Sequence, residues 1–504
     1  MEVKAMELKS NSPATLKLIG SVRTTAPEEV PDYVSRAREA QRRWGSVPLE
    51  KRLRILPELR RALQAERDDV ARLVSLEAGK PFVEAFTVEL LPSLDMLKFL
   101  EHHAARVLGP ERIGLGWFVH KRSVLEYLPL GVVGIISPWN FPFGIPFTSV
   151  VSALVAGNAV LLKPSELTPL TGERLAEVFR RAGLDPDLLQ VLQGDGATGA
   201  ALVAADIDKV LFTGSVATGK RVMAEAARTL KPVTLELGGK DPMLVFKDAD
   251  LDRAANGAVW GAFTNAGQVC ASVERCYVER AAASEFIELV VAKTRALRQG
   301  IPVERLATGE LAVRQVDVGA MIGEAQLEKV HEQVLEASRL GGELLCGGAP
   351  RRDLPGYFYQ PTVLRDVPPE AKLMQEETFG PVLPITLVDS VEEAVKLANS
   401  SRYALSASVW SRDRSKARTA ARRLEAGTVW INDVIYTYGL AATPWGGFKE
   451  SGIGRTHAAL GLREFCHVRH LNEGYYPVKT ELQWYPYSEK RLKWLKRLAN
   501  FLYS

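Results

Sequence analysis

The stretch VVGIISPWNFPFGIPFTSVVSALVAGNAVLLKPSE, residues 132–166, decides the fold. VVGIIS (132–137) is a β-branched run that reads as a strand, the segment near 147–156 reads as a helix, and AVLLK (159–163) reads as a second strand. The alternation continues through LLQVLQ (188–193), KVLFT (209–213) and VTLEL (233–237), with helical segments such as TGERLAEVFRRAG and a helix from about 218 to 229 between them. Strands separated by helices imply βαβ units and a parallel sheet. The expected fold is therefore α/β, a Rossmann-like doubly wound sheet that takes nucleotides at the carboxyl ends of its strands.

Working outward, a second alternation (MLVF, VERCYVE, PITLV, ASVWS and TVWIN, with helices between) predicts another α/β domain over 238–445. On the N-terminal side, apolar residues at three- and four-residue spacing predict helices over 28–110, and Gly79 then Pro81 close the second of them. The expected organisation is a cofactor-binding domain from 1–112 and 132–237, a catalytic domain from 238–445, and a small β oligomerisation region from 113–131 and 446–482. A basic tail, 483–504, follows.

Composition narrows the partners. Lys plus Arg is 64 against 60 Asp plus Glu, a net charge of +4, too balanced to suggest a nucleic-acid binder. The four cysteines, at 270, 276, 346 and 466, form no CxxC pair. Neither a disulfide framework nor a metal site is expected, and a reducing cytoplasm fits best. The first residues, MEVKAMELKS, lack the apolar core of a signal peptide, and LPLGVVGIISPW (128–139) is far short of the ~20 residues that span a bilayer. The tail is the exception to the charge balance. Within SEKRLKWLKRLANFLYS, Leu492, Leu495, Leu498, Ala499 and Leu502 form one helical stripe, with Lys490, Arg491, Lys493, Lys496 and Arg497 on other faces. Such a helix suits either docking on a second copy of the chain or peripheral contact with a membrane.

Three loops are candidates for phosphate or ribose. GDGATG (194–199) fits G-x-G-x-x-G between a strand and a helix, and equally fits a plain turn. GSVATGK (214–220) fits the first seven positions of a P-loop, but Arg221 stands where a magnesium-binding Ser or Thr belongs, which argues against an ATPase reading. LLKPSE (161–166) puts Lys163 and Glu166 at a strand end, where a carboxylate can accept both ribose hydroxyls or simply form a solvated ion pair.

These pieces, in the order SPWNFP (137–142), LLKPSE, FTGS (212–215), LELGGK (235–240), FTNAGQVC (263–270), EETFGP (376–381) and PWGGFKESGIGR (444–455), closely resemble the aldehyde dehydrogenase superfamily from about residue 20 to 470. The resemblance implies that Cys270 is the nucleophile, Asn140 with the backbone N–H of Cys270 the oxyanion site, and Glu236 the general base. It implies NAD as cofactor, with NADP as the alternative that Glu166 would repel through the 2′-phosphate. The implied cofactor contacts are Ile136, Ser137, Pro138, Trp139, Lys163, Ser165, Glu166, Gly196, Gly214 and Ser215, with Leu237, Gly238, Glu377 and Phe379 on the nicotinamide side. Phe141, Thr148 and Trp445 are expected to line the aldehyde tunnel, the small Thr148 leaving it wide enough for aliphatic or bulky aryl aldehydes. Retention of the base favours release of a free acid over acyl transfer to coenzyme A. The resemblance also implies a homodimer or a tetramer.

Overall fold

The computed structural model describes residues 7–476, 479–481 and 483–504. It divides into two compact units, residues 1–108 with 129–467, and residues 109–128 with 468–504.

In the first unit, helices α1 (Ile55–Ala78) and α2 (Leu91–Leu108) flank a turn of helix, Phe82–Glu84, that runs into π-helical Ala85–Leu90. The first sheet holds β1 (Val132–Ile136), β2 (Ala159–Lys163), β3 (Leu189–Val191), β4 (Lys209–Thr213) and β5 (Val233–Glu236). Their order is 3-2-1-4-5, all parallel. This is the doubly wound arrangement the alternation predicts. Its strands are continuous apolar runs because helices cover both faces of a parallel sheet. Helices α3 (Gly144–Val155) and α4 (Val216–Ala227) follow β1 and β4. Strand order reverses between β1 and β4, so the loops after Ile136 and Thr213 open at the switch point, where such sheets bind ligands.

The second sheet contains β6 (Asp241–Val245), β7 (Val273–Glu279), β8 (Glu343–Cys346), β9 (Thr362–Arg365), β10 (Val382–Val388), β11 (Ser406–Trp410) and β12 (Thr428–Ile431), in the order 8-9-10-7-6-11-12. Only β8 is antiparallel to its neighbour. Helix α5 (Leu251–Phe263) crosses from β6 toward β7. The four-residue turn from Glu236 to Asp241 joins the two sheets directly. The carboxyl ends of the first sheet therefore face the amino ends of β6 and β7.

Residues 446–467 depart from the expected organisation. Strand β13 (Gly452–Ile453) pairs antiparallel with β5, and Ser451 is hydrogen-bonded to the turn after it. Backbone pairing to the first sheet places this segment in the first unit. The second unit is a three-stranded sheet with Lys121–Pro129 between Glu111–Ile113 and Cys466–Gly474. Helix α6 (Glu489–Tyr503) ends the chain with no buried residue.

Candidate active site

Cys270 is delivered by a strained reversal. After α5, residues Asn265, Ala266 and Gly267 all take left-handed backbone, φ 52°, 54° and 72°. A β-carbon on Gly267 would sit 2.1 Å from the Gly380 carbonyl oxygen, so only glycine fits there. The reversal is tied at both ends. Asn265 Nδ2 donates to the carbonyls of Asn140 (3.0 Å) and Gln268 (3.1 Å), Gln268 Nε2 donates to Asn265 O (2.9 Å), and Ile322 N donates to Gln268 Oε1 (2.9 Å).

The loop carrying Asn140 hangs on a buried ion pair. Lys80 Nζ donates to Glu89 Oε1 at 2.7 Å and to the Asn140 carbonyl at 2.5 Å. Glu89 Oε2 accepts from the backbone N–H groups of Phe143 and Gly144. Both side chains are fully enclosed. Asn140 Nδ2 donates to Gln268 O at 3.1 Å. A primary amide has two N–H groups, so one remains for a ligand.

Glu236 is the last residue of β5 and is buried, with Thr456 Oγ1 donating to its Oε1. Gly239 follows because a β-carbon there would meet the Cys270 carbonyl oxygen at 2.2 Å. A second buried pair supports the opposite wall. Lys240 Nζ donates to Glu274 Oε2 (2.6 Å), and Glu274 accepts from the backbone N–H groups of Thr378 and Phe379. Glu377 on that loop accepts from Gly239 N at 3.1 Å.

The enclosure sets the proton affinities. Burial pushes Glu236 up from 4.5 to about 7 against the Thr456 hydrogen bond and the Arg455 charge. Burial also raises Glu377 to about 7. Cys270 is pushed well above its ordinary value, first by burial and then by the carboxylates of Glu236, Asp241 and Glu377. The thiol is thus protonated near neutrality and needs a base, while Glu236 sits where a base works best. His457 contacts the Thr456 hydroxyl, and burial lowers it to about 4, so it is neutral.

Three connected cavities surround these groups. A central cavity of about 220 Å³ brings together Cys270, Glu236 and Asn140 with Leu237, Gly238, Glu377 and Phe379. It opens, past Pro138, Trp139, Gly214 and Ser215, into a cleft of about 900 Å³. That cleft is lined by Ile136, Ser137, Lys163, Ser165, Glu166 and Gly196 as well. The cleft suits a dinucleotide. Its size is that of a large ligand site, Ser137 Oγ is buried without a partner among the described residues, and the N-terminus of α4 opens into it beside Ser215. Lys163 is buried and bonds Glu166, which is half-buried. GDGATG contributes at Gly196 and Gly199.

On the other side of Cys270 lies an apolar cavity of about 260 Å³, walled by Val88, Phe141, Ile145, Trp260, Tyr438 and Trp445 among others. Thr148 is not in its wall, contrary to expectation. It is buried one turn further along α3, and its hydroxyl donates back to the Ile145 carbonyl. Ile145 occupies the inward face instead. Sequence reasoning also missed Lys80, Glu89, Lys240, Glu274 and Thr456. A charged residue in a single sequence carries no sign of burial.

A cleft of dinucleotide size running into a thiol-bearing cavity places the molecule among the nicotinamide-dependent oxidoreductases. Known proteins narrow that class, and the chain belongs to the aldehyde dehydrogenase family, whose profile matches residues 2–471. It is 38% identical over 98% of its length, and 91% of the relative's, to the 4,4'-diapolycopene aldehyde oxidase of a Methylomonas species. It is 36% identical to a betaine aldehyde dehydrogenase of Rhizobium etli over 94% of this chain and 95% of that one. The crystal structure of an NAD-dependent aldehyde dehydrogenase from Sinorhizobium meliloti superposes with a TM-score of 0.88 at 36% identity, covering 94% and 92% of the two chains. The chain is an NAD(P)-dependent aldehyde dehydrogenase. Among the described residues no helix is long and apolar enough to cross a membrane.

Proposed function

We propose that the chain oxidises an apolar aldehyde, aliphatic or aromatic and of medium to long chain, to its carboxylic acid with NAD. The observation that carries this reading is the position of Cys270, which borders both the cavity holding Glu236 and Asn140 and the apolar cavity on its far side. Glu236 takes the thiol proton as the sulfur attacks the carbonyl carbon. The oxyanion of the thiohemiacetal is held by Asn140 Nδ2 and the Cys270 backbone N–H. The cleft residues, Lys163, Glu166, Gly214 and Ser215 among them, would hold a nicotinamide dinucleotide, which would supply the hydride acceptor for that carbon. Glu236 then passes the thiol proton to solvent, accepts a proton from the water that hydrolyses the thioester, and returns it to the departing Cys270 thiolate as the acid leaves. A single buried carboxyl near pH 7 suits both proton transfers.

The wall of the aldehyde cavity supports the apolar assignment, as does the similarity along nearly the whole chain to an enzyme named for 4,4'-diapolycopene aldehyde. Glu166, half-buried in the cleft wall, favours NAD over NADP. In the second unit, Cys466–Gly474 is an edge strand with Val468 and Leu471 exposed, which fits self-association as a dimer or tetramer. NADH production across an aldehyde panel tests the reading. Decanal should exceed acetaldehyde and betaine aldehyde in kcat/KM, and Cys270→Ser should abolish turnover. A preference for betaine aldehyde, or full activity of the serine variant, would refute it.

A further inference from the structure

The apolar cavity beside Cys270 is too small for a long substrate. At about 260 Å³ it falls below the ~300 Å³ at which sites for drug-sized ligands begin. A larger groove of about 630 Å³ adjoins it. Two helical ridges border both spaces. On one ridge, Val83 and Glu84 face the outer groove while Thr87 and Val88, one turn on, face the inner cavity. On the other ridge, Trp260 and Thr264, also one turn apart, line both. Residues four apart share one helix face, so the apolar cavity and the groove lie end to end along the same two ridges.

The groove's chemistry continues the cavity's. Val83, Val259, Phe263, Leu297, Val313 and Val316 give it an apolar floor and rim. Its ionic groups are paired. Arg298 grips Asp317 through two bonds of 2.9 and 2.7 Å, and Arg314 reaches Glu304. Glu84 accepts from Thr264 Oγ1 and Asn265 N, and burial raises it to about 7, so it carries little charge below neutrality. We propose that this outer groove is the distal subsite of the aldehyde site, holding the far end of a long unbranched apolar substrate whose carbonyl lies at Cys270.

The inference rests on Cys270 as the site of oxidation, and the test separates the two. NADH production by the full-length enzyme is followed with butanal, which fits the inner cavity, and with hexadecanal, which overruns it. Val83→Glu and Val313→Glu each put a charge into the groove at exposed positions, 67% and 44% accessible, where folding is not at stake. Wild type should favour hexadecanal at least tenfold in kcat/KM. Each variant should lower that value for hexadecanal about tenfold, the worth of displacing roughly two methylenes at ~0.8 kcal/mol each, mainly through KM. Butanal should stay within about twofold. Unchanged hexadecanal kinetics in both variants, a parallel fall for both aldehydes, or no chain-length gain in wild type would overturn the subsite. A wild type inert toward both aldehydes would remove the Cys270 reading and the subsite with it.

Discussion

Replacing Glu236 by glutamine should damage activity and raise stability, each with its own pH signature. The side chain is buried at the end of β5 and rises from 4.5 to about 7. At about 1.4 kcal/mol per factor of ten, that difference opposes the ionised carboxylate in the folded chain by about 3 kcal/mol. A folded-state value above the unfolded one means the contribution is fully present below about pH 4.5 and lost as pH rises through about 7. Glutamine keeps the shape, still accepts from Thr456, and never ionises. The advantage of Glu236→Gln over wild type should therefore grow from near zero at about pH 4.5 to about 3 kcal/mol above about pH 8. Urea unfolding of both proteins across that range reads it. The difference in midpoint is the safe observable, because a chain of this size need not unfold in one step. Over the same range wild-type kcat/KM should fall below about pH 7, and the variant should lose ~100- to 10,000-fold. Glu377 rises to about 7 as well, so Glu377→Gln must retain that acid limb. Stability curves for wild type and Glu236→Gln that run parallel from pH 4.5 to 8 would refute the buried-base argument.

Asn140→Ala should cost ~100- to 1000-fold in kcat while NAD binding, followed by fluorescence titration, stays unchanged. Thr456→Val removes the hydroxyl that lowers Glu236, so the acid limb of the pH–rate profile should move to higher pH with the alkaline plateau kept. Glu166→Ala should narrow the NAD-over-NADP ratio in kcat/KM mainly by improving KM for NADP. Helix α6 carries exposed Trp494 and Phe501 and a cationic face; with the helix docked on a second copy of the chain, a chain stopped at Ser488 and the full chain should float equally with anionic liposomes. Weaker flotation of the shortened chain would assign the helix to a membrane surface instead.

The strands and the motif residues were legible because their signals are local. A parallel strand buried on both faces must be a continuous apolar run, and a loop at a carboxyl end that approaches a ligand needs Gly, Pro or a short polar side chain. Orientation around a helix is not local in this sense. Thr148 and Ile145 lie three residues apart on α3, and only the packing of that helix on the sheet turns Ile145 toward Cys270. Burial of charge is equally silent. Lys80 follows a helix-ending glycine and reads as a surface lysine, yet it is fully enclosed with Glu89.

Those hidden charges explain how the site holds its shape. Two loops flank Cys270, one bearing Asn140 and one bearing Glu377 and Phe379. Each is held by one buried Lys–Glu pair whose carboxylate accepts two backbone N–H groups of its loop. A buried ion pair is poor value as stabilisation, because an apolar replacement often does as well. What an apolar replacement cannot do is accept those four N–H groups in fixed directions. The pairs are therefore best understood as positioning devices. Lys80→Met should show it by lowering kcat for butanal and decanal alike, through displacement of Asn140, while KM for NAD stays near its wild-type value. A variant folded and as active as wild type would show that the Asn140 loop keeps its geometry without the lysine.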